Sequence, residues 1–388
     1  MVIRINFTIN SNTYFVKHKI CKICIQPDSR PGLYFTDDDI CGACLWEKEK
    51  AVIDWDKRYD ELIEIAKSVK SNNLKSNYDC VIGVSGGKDS TRQALVARDE
   101  LGLRCLLVNC EPPNITDIGK KNIENLKNLG FDVFSIRPNP QIIKKLIKFD
   151  FYKHLNPVKV TEFCLYASTF IIAEKFDIPL IIQGENPGLV LGTRLTGVGS
   201  DSNALKADEM HTLSLGWQEY LNEVPNEKDL FLYHYNRKKL EVRNTQGIWL
   251  NYFIKDWEPN ANADFSKKHG LVWRDENFDP YTIGSYQPFT SLDSDLNQVN
   301  QMLKFIKFGF GQCMDQVCND IRKGNISRKE GIELVKKYDG KCSEKYIKNF
   351  CNYIGIDIVE FWNIAEKFRG KMWIKENNEW YNTYWDKF

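Results

Sequence analysis

Six consecutive residues of this sequence combine two glycines, two hydroxyls, a cation and a carboxylate: Ser85, Gly86, Gly87, Lys88, Asp89 and Ser90. They follow residues 80–84, a short apolar run that is typical of a buried parallel strand. From Ser90 the pattern indicates a helix opened by a capping box. Glycine backbone can approach a ligand closely, and the free N–H groups of a helix start favour anions. The turn therefore predicts a pyrophosphate site; the alternative is a turn that only joins strand to helix.

The turn is not a Walker A loop, because Ile82 and Asp89 stand where that pattern needs a glycine and a Ser or Thr. Ser-Gly-Gly-Lys-Asp-Ser instead resembles the signature of the PP-loop ATP pyrophosphatases. The resemblance implies that ATP is cut between its α and β phosphates and that AMP is moved onto an oxygen of the acceptor. Nitrogen or sulfur then displaces the AMP.

The same resemblance implies roles for the residues of the turn. The backbone N–H groups of Gly86 and Gly87, with the hydroxyls of Ser85 and Ser90, would bind the β and γ phosphates of ATP. Lys88 would neutralise the charge of these phosphates. We expect the turn to be the ATP-binding part of the chain.

Carboxylates next to the turn are candidates for binding Mg²⁺. Asp89 is the strongest of them, at the position of the leaving pyrophosphate. Glu111 and Glu185 follow other predicted strands and either face the metal or the substrate or are solvated loop acids. Gly184 resembles the position where PP-loop enzymes bring backbone near the nucleotide.

Four cysteines have the spacing of a metal site: Cys21, Cys24, Cys41 and Cys44. They form two C-x2-C pairs separated by residues 25–40, a stretch rich in turn residues. Four thiolates leave no coordination position open for water, so the pattern predicts a structural Zn²⁺ site. Four buried cysteines without a metal are the alternative.

The chain around the turn alternates in the manner of a doubly wound α/β sheet. A connecting helix is expected at 51–70, and the alternation is expected to run as helix 90–101, strand 104–110, helix 117–129, strand 131–136, helix 140–149, helix 162–176 and strand 180–183. In such sheets ligands bind outside the carboxyl ends of the strands. The turn, residues 109–112 and residues 183–187 meet this criterion. The predicted fold class is α/β, a doubly wound parallel sheet of PP-loop (adenine nucleotide alpha hydrolase-like) type.

Three regions are predicted: a zinc-binding ribbon in 1–50, a PP-loop ATP-binding α/β domain in 51–291, and a helical C-terminal region in 292–388. Residues 185–290 break the alternation and are rich in Trp, Tyr and His, so we interpret them as an insertion over the active-site edge. Its aromatic residues either line a substrate pocket or form the insertion's own core. Helices are expected at 293–308, 311–323, 327–339, 343–353 and 357–369.

Several motifs together resemble the N-acetyl sugar amidotransferases of the pseudaminic-acid and lipopolysaccharide O-antigen type. They are the cysteine-rich opening, residues 85–90, Gly-Glu-Asn at 184–186, Lys-Phe-Gly-Phe-Gly at 307–311 and the basic segment 321–328. The resemblance implies an ATP- and Mg²⁺-dependent enzyme with structural Zn²⁺. It would convert the acetamido group of a bacterial N-acetyl sugar or nucleotide sugar into an acetamidino group, for flagellin or lipopolysaccharide glycans.

The resemblance also implies functional roles for basic residues in the C-terminal region. Lys307 and Arg322 are assigned catalytic roles, binding the carboxylate or phosphates of an acidic sugar. Arg194 and Arg328 are further candidates, and for each the alternative is a surface ion pair.

The nitrogen source is expected to lie outside this chain. Fused N-terminal glutaminases expose a cysteine at position 2, and this chain has Val2. A separate glutaminase subunit or free ammonia would then supply the nitrogen.

Composition excludes some classes of protein. Lys and Arg number 53 and Asp and Glu 52, a net charge of +1 that argues against an extended nucleic-acid surface. No signal peptide or bilayer-length apolar run is present, so a cytoplasmic protein without membrane contact is expected. Two alternatives stay open: a tRNA-thiolating PP-loop enzyme using Cys164 as persulfide carrier, and a zinc-ribbon adaptor that binds ATP without turnover.

Overall fold

The computed structural model describes residues 18–73, 75–193, 201–209, 216–385 and 388, and a five-stranded parallel sheet lies at its centre. Its strands are β1 (Cys80–Gly83), β2 (Cys105–Cys110), β3 (Asp132–Ile136), β4 (Leu180–Gln183) and β5 (Gln246–Trp249). The strand order is β3-β2-β1-β4-β5, and β1 pairs with both β2 and β4. The order reverses between β1 and β4, which defines a doubly wound sheet. The predicted α/β fold class is confirmed.

The helices largely follow the predicted pattern. They are α1 (Gly42–Glu49), α2 (Trp55–Asn72), α3 (Lys88–Leu95), α4 (Asp117–Asn128), α5 (Pro140–His154), α6 (Lys159–Lys175), α7 (Pro187–Val190), α8 (Arg237–Val242), α9 (Pro259–Lys268), α10 (Leu296–Phe308), α11 (Gln312–Lys323), α12 (Arg328–Tyr338), α13 (Glu344–Ile354) and α14 (Ile358–Lys367). A π-helical turn, Val96–Glu100, continues α3. The helix expected at 327–339 is present as α12, and a capping box of Ser327 and Glu330 opens it.

The start of α3 differs from the prediction. The helix begins at Lys88, two residues earlier than expected, with Gly87 as N-cap and no side-chain cap. The Ser90 hydroxyl donates to the Gly87 carbonyl oxygen at 3.2 Å instead of opening a capping box. The capping-box prediction at Ser90 was therefore wrong, because the glycine turn itself leads straight into helical backbone.

Strand β5 comes from the middle of the stretch 185–290, which the sequence predicted to be an insertion. It pairs in parallel with β4, and Trp249 at its end is buried in the core. Gly247 allows the close approach of Leu205, whose backbone nitrogen would lie 2.9 Å from an added Cβ. At least this part of the stretch belongs to the sheet.

Alternate residues of the central strands enter two separate cores. On one face, Val81, Leu106 and Ile181 pack with Phe163 and Phe170 of α6. The residues between them face the other core, which includes Leu62, Ala66 and Val69 of α2. Burial on both faces explains the continuous apolar character of β1, β2 and β4. This rigid sheet fixes the position of the turn after β1.

The C-terminal region packs back on the rest of the chain. A hairpin of β6 (Trp373–Glu376) and β7 (Glu379–Asn382) follows α14. Asn382 Nδ2 donates to the Gly309 carbonyl oxygen at 2.9 Å, and Tyr384 Oη donates to Asp28 Oδ1 at 2.9 Å. Among the helices of the described ranges, none combines the length and apolar character needed to cross a bilayer.

Candidate functional site

The glycine turn lies where the strand order reverses. It follows β1, and Gly184 and Glu185 follow the neighbouring strand β4. Gly86 has φ +76°, and a Cβ added there would lie 3.0 Å from Asn122 Cβ of α4, so only glycine fits without adjustment. Gly87 has an ordinary φ of −92°. The turn therefore presents the N-terminus of α3 at the crevice where doubly wound sheets bind ligands.

Lys88, Asp89 and Glu185 form a charged group at this crevice. Lys88 Nζ lies 2.6 Å from Asp89 Oδ2. Burial acts to lower the pKa of Lys88, but the charges of Asp89 and Glu185 together raise it above its ordinary value. Burial raises the pKa of Glu185 to about 7, and the charge of Asp89 adds to this shift while Lys88 opposes it. The ion pair between Lys88 and Asp89 can open, so that Lys88 binds a phosphate group and Asp89 binds a cation.

The two carboxylates of this charged group are suited to Mg²⁺. Proteins usually bind Mg²⁺ through one or two carboxylates together with the phosphates of the substrate. Asp89 and Glu185 would supply these carboxylates, and 33% of the Asp89 side chain is exposed. These two carboxylates thus fit the Mg²⁺ ion expected at Asp89.

Side chains of α9, which sequence reasoning missed, hold the turn in place. Asn262 Nδ2 donates to Asp89 Oδ1 at 2.7 Å, while Asn262 Oδ1 accepts from Arg92 at 2.7 Å. Ser266 Oγ donates to the Lys88 carbonyl oxygen at 2.6 Å. Gly184 allows close packing with Gln93, whose Nε2 would lie 2.0 Å from an added Cβ. The Pro-Asn-Ala-Asn sequence that opens α9 gave no signal for these contacts.

A cavity of about 240 Å³, here called the switch-point cavity, opens beside Lys88 and Glu185. The segment that carries the four cysteines contributes Gln26, Arg30 and Ala43 to its wall, and the C-terminal region contributes residues of α11 that include Asp315 and Arg322. Three sequence regions thus meet at one site.

The four cysteines predicted to bind zinc are brought together. Their Sγ atoms lie within 4.8 Å of one another, with 3.7 Å between Cys21 and Cys44 and 3.6 Å between Cys24 and Cys41. Tetrahedral Zn²⁺ with bonds of about 2.3 Å requires sulfur atoms roughly 3.8 Å apart. All four are buried, so the cluster fits a structural Zn²⁺ ion.

The basic residues of α11 and α12 contact this cluster. Arg322 Nη1 lies 3.6 Å from Cys24 Sγ, and Arg328 Nη1 donates to the Cys21 carbonyl oxygen at 3.1 Å. Arg322 can therefore neutralise thiolate charge, while it also lines the switch-point cavity. Arg194 lies outside the described residues.

Lys307 lies in a second cavity, of about 360 Å³, here called the Lys307 cavity. Its Nζ donates to the His154 carbonyl oxygen at 2.7 Å. Burial lowers the pKa of Lys307, and the charge of Lys159 lowers it further. Arg30, Leu191 and Asp315 line this cavity as well as the switch-point cavity, so the two are neighbours.

Other candidate residues lie elsewhere. Glu111 lines a cavity of about 580 Å³ beside β2 and β3, and neither Lys88 nor Glu185 is part of its lining. Cys164 is fully buried, with its Sγ 3.1 Å from that of Cys110. This position disfavours a persulfide carrier, which must reach its substrate.

Several solved structures are similar to part of the chain. The NH3-dependent NAD synthetase of Campylobacter jejuni is 16% identical (TM-score 0.29), covering 53% of this chain and 98% of its own. The NMN synthetase of Francisella tularensis is 15% identical (TM-score 0.30), covering 58% and 100%, and the NAD+ synthetase of Burkholderia pseudomallei is 13% identical (TM-score 0.28), covering 58% and 91%. TM-scores this low establish no shared fold, so the fold assignment depends on the strand order and turn of this chain.

The C-terminal region gives the more specific comparison. No curated protein matches the chain. Residues 277–386 match the family model described as "LPS biosynthesis protein WbpG-like, C-terminal domain". The match includes α10 to α14 and the β6–β7 hairpin. Residues 277–386 are therefore similar to the C-terminal domain of the WbpG-like lipopolysaccharide biosynthesis proteins, and they follow the doubly wound α/β sheet along the chain.

Proposed function

We propose that this protein is an ATP-dependent, AMP-forming amidotransferase that converts the acetamido group of a bacterial N-acetyl sugar into an acetamidino group. One observation carries the proposal: the glycine turn lies where the strand order reverses, with Lys88 and Glu185 lining the switch-point cavity. The Lys307 cavity is its neighbour. The match of residues 277–386 to a lipopolysaccharide biosynthesis domain supports a surface-glycan substrate.

The first step activates an otherwise inert amide. The acetamido oxygen attacks the α-phosphorus of ATP, the bond to the bridging oxygen breaks, and pyrophosphate leaves. The backbone N–H groups after Gly86 and the ammonium of Lys88 hold the departing pyrophosphate. Bound at Asp89 and Glu185, Mg²⁺ would neutralise phosphate charge.

The second step exchanges oxygen for nitrogen. Ammonia adds to the carbon of the O-adenylated amide, the carbon–oxygen bond breaks, and AMP leaves with the former amide oxygen. The nitrogen must lose a proton during this exchange. A second molecule of ammonia is basic enough to accept this proton, because Glu185 is assigned to Mg²⁺ in this proposal.

We also propose that a separate glutaminase delivers the ammonia to this site. The described residues contain no exposed cysteine to serve as a glutaminase nucleophile, because eleven cysteines are buried and Cys342 is half-buried. Ammonia released within a complex avoids protonation in bulk solvent.

The test is an assay of nucleotide products with ATP, Mg²⁺, an ammonium salt and N-acetyl sugars. We expect AMP and pyrophosphate that depend on the sugar, and strongly reduced formation in Asp89→Asn. ADP and phosphate as products, or no turnover with any N-acetyl sugar tried, would contradict the proposal.

A further inference from the structure

The Lys307 cavity contains an unusual set of unsatisfied polar atoms. Three of the residues that line it, Asn156, Glu162 and Gln301, each have one buried side-chain oxygen without a hydrogen-bond partner among the described residues. Buried polar atoms are nearly always hydrogen-bonded in folded proteins, because leaving one unpaired costs free energy. Three such oxygens around one cavity can accept hydrogen bonds from the hydroxyl or N–H groups of a bound molecule.

The cavity also carries uncompensated positive charge. Arg30 and Lys304 both pair with Asp315. Lys307 has no acidic partner in the described part of the chain and donates only to a backbone carbonyl oxygen. Burial raises the pKa of Glu162 to about 7. The charge of Asp150 raises this pKa further, whereas the charge of Lys304 lowers it. Glu162 is therefore partly neutral near pH 7. An anionic group of a bound ligand would neutralise the positive charge of Lys307.

The lining of the cavity also includes two aromatic rings. Phe308 and Phe310 line it with ring centroids 6.1 Å apart and an interplanar angle of 29°. Aromatic faces beside convergent polar groups suit a molecule with both C–H surfaces and hydroxyls. A sugar ring has this character, and about 360 Å³ is room enough for a monosaccharide.

We propose that the Lys307 cavity is the acceptor site, and that it takes a polyhydroxylated N-acetyl ligand carrying an anionic group close to Lys307. The identification as acceptor site rests on the proposed function. The shared wall of Arg30, Leu191 and Asp315 places a molecule bound here beside the cavity that contains Lys88 and Glu185. The acetamido group would face this shared wall, on the side of the nucleotide cavity.

Calorimetric titration tests the proposal with two probes, N-acetylneuraminic acid as the acidic sugar and N-acetylmannosamine as the neutral one. The non-cleavable α,β-methylene ATP reports separately on the nucleotide site. We expect the acidic probe to bind wild type about tenfold more tightly than the neutral one. Lys307→Met should remove this preference, whereas Lys329→Met, at an exposed lysine, should keep it.

A second variant separates binding from folding. Gln301→Leu removes an unpaired oxygen, so the melting temperature should stay the same or rise. The affinity of this variant for both sugars should fall about tenfold. Lys307→Met and Gln301→Leu should both bind α,β-methylene ATP with wild-type affinity. Lys88→Ala should no longer bind α,β-methylene ATP but should bind both sugars like wild type.

Two results would overturn the acceptor-site proposal: no binding of either sugar to wild type, or sugar affinities unchanged in both cavity variants. Sugar binding as expected without formation of AMP from ATP would leave the cavity assignment standing and contradict the proposed function instead.

Discussion

Asn262 Nδ2 donates a 2.7 Å hydrogen bond to Oδ1 of Asp89, although the two residues lie 173 positions apart in the sequence. The opposite side of the same amide accepts a hydrogen bond from Arg92. Because Arg92 can only donate, the amide of Asn262 is fixed in one orientation with its N–H group towards Asp89. Helix α9 thereby sets the position of the proposed Mg²⁺ ligand.

Replacing Asn262 by Leu should lower sugar-dependent pyrophosphate release by about 10- to 100-fold, because the partner that orients a metal ligand is lost. The measurement is the initial rate of pyrophosphate release at saturating ATP. Asp264→Asn, on the exposed side of the same helix, is the control and should retain the wild-type rate. Equal rates in Asn262→Leu and the control would show that α9 does not position Asp89.

The protein should contain about one zinc ion per chain, measured by elemental analysis after purification without chelator. Cys41→Ser should lose the metal and unfold at lower temperature. It should also lose turnover, since Gln26, Arg30 and Ala43 of the same segment line the switch-point cavity. Cys342→Ser, outside the cluster, should retain both zinc and activity. A zinc-free protein with full activity would refute this assignment.

The stability of the ligand-free protein should fall as pH rises from about 5 to about 7, because burial raises the pKa of Glu162 and of Glu185 to about 7. In the unfolded chain both acids ionise near pH 4.3. The folded state therefore holds protons that the unfolded state has lost in this range, and unfolding becomes easier as pH rises.

Thermal unfolding at several pH values measures this effect. The double variant Glu162→Gln/Glu185→Gln cannot ionise at either position, so its melting temperature should depend less on pH than that of wild type. Glu344→Gln, at a carboxylate with 83% of its side chain exposed, should behave like wild type. Identical pH dependence in all three proteins would contradict the buried neutral state.

The isolated protein should use ammonium salt but not glutamine as nitrogen source. In the described ranges, no cysteine is placed as a glutaminase nucleophile. Adding a glutaminase subunit encoded nearby should confer glutamine dependence. The measurement is acetamidino-sugar formation with each nitrogen source, and glutamine-driven product from this chain alone would contradict the prediction.

Local sequence signals identified the centre of the fold and of the site. The apolar run before Ser85 and the two glycines after it sufficed to predict the strand, the turn and the next helix, since all three depend on neighbouring residues. The two C-x2-C pairs predicted the cysteine cluster for the same reason.

Contacts between distant segments could not be predicted in this way. Arg322 contacts Cys24 across 298 positions, and Asn262 reaches Asp89 through packing that no local pattern records. Strand β5 begins with Gln246 and Gly247 and has only two apolar residues, Ile248 and Trp249, which is too weak an apolar pattern to distinguish from a loop. Tertiary packing decides each of these features.

Transfer of the acetamido oxygen tests the central claim most directly. The proposed reaction carries this oxygen into AMP, because the amide oxygen attacks the α-phosphorus and leaves with the adenylate. An N-acetyl sugar accepted in the product assay, labelled with oxygen-18 in its acetamido group, would be incubated with ATP, Mg²⁺ and ammonium salt, and the AMP analysed by mass spectrometry. The account predicts AMP that contains one oxygen-18 atom for each acetamidino group formed. Unlabelled AMP accompanying the amidino product would contradict adenylation of the amide.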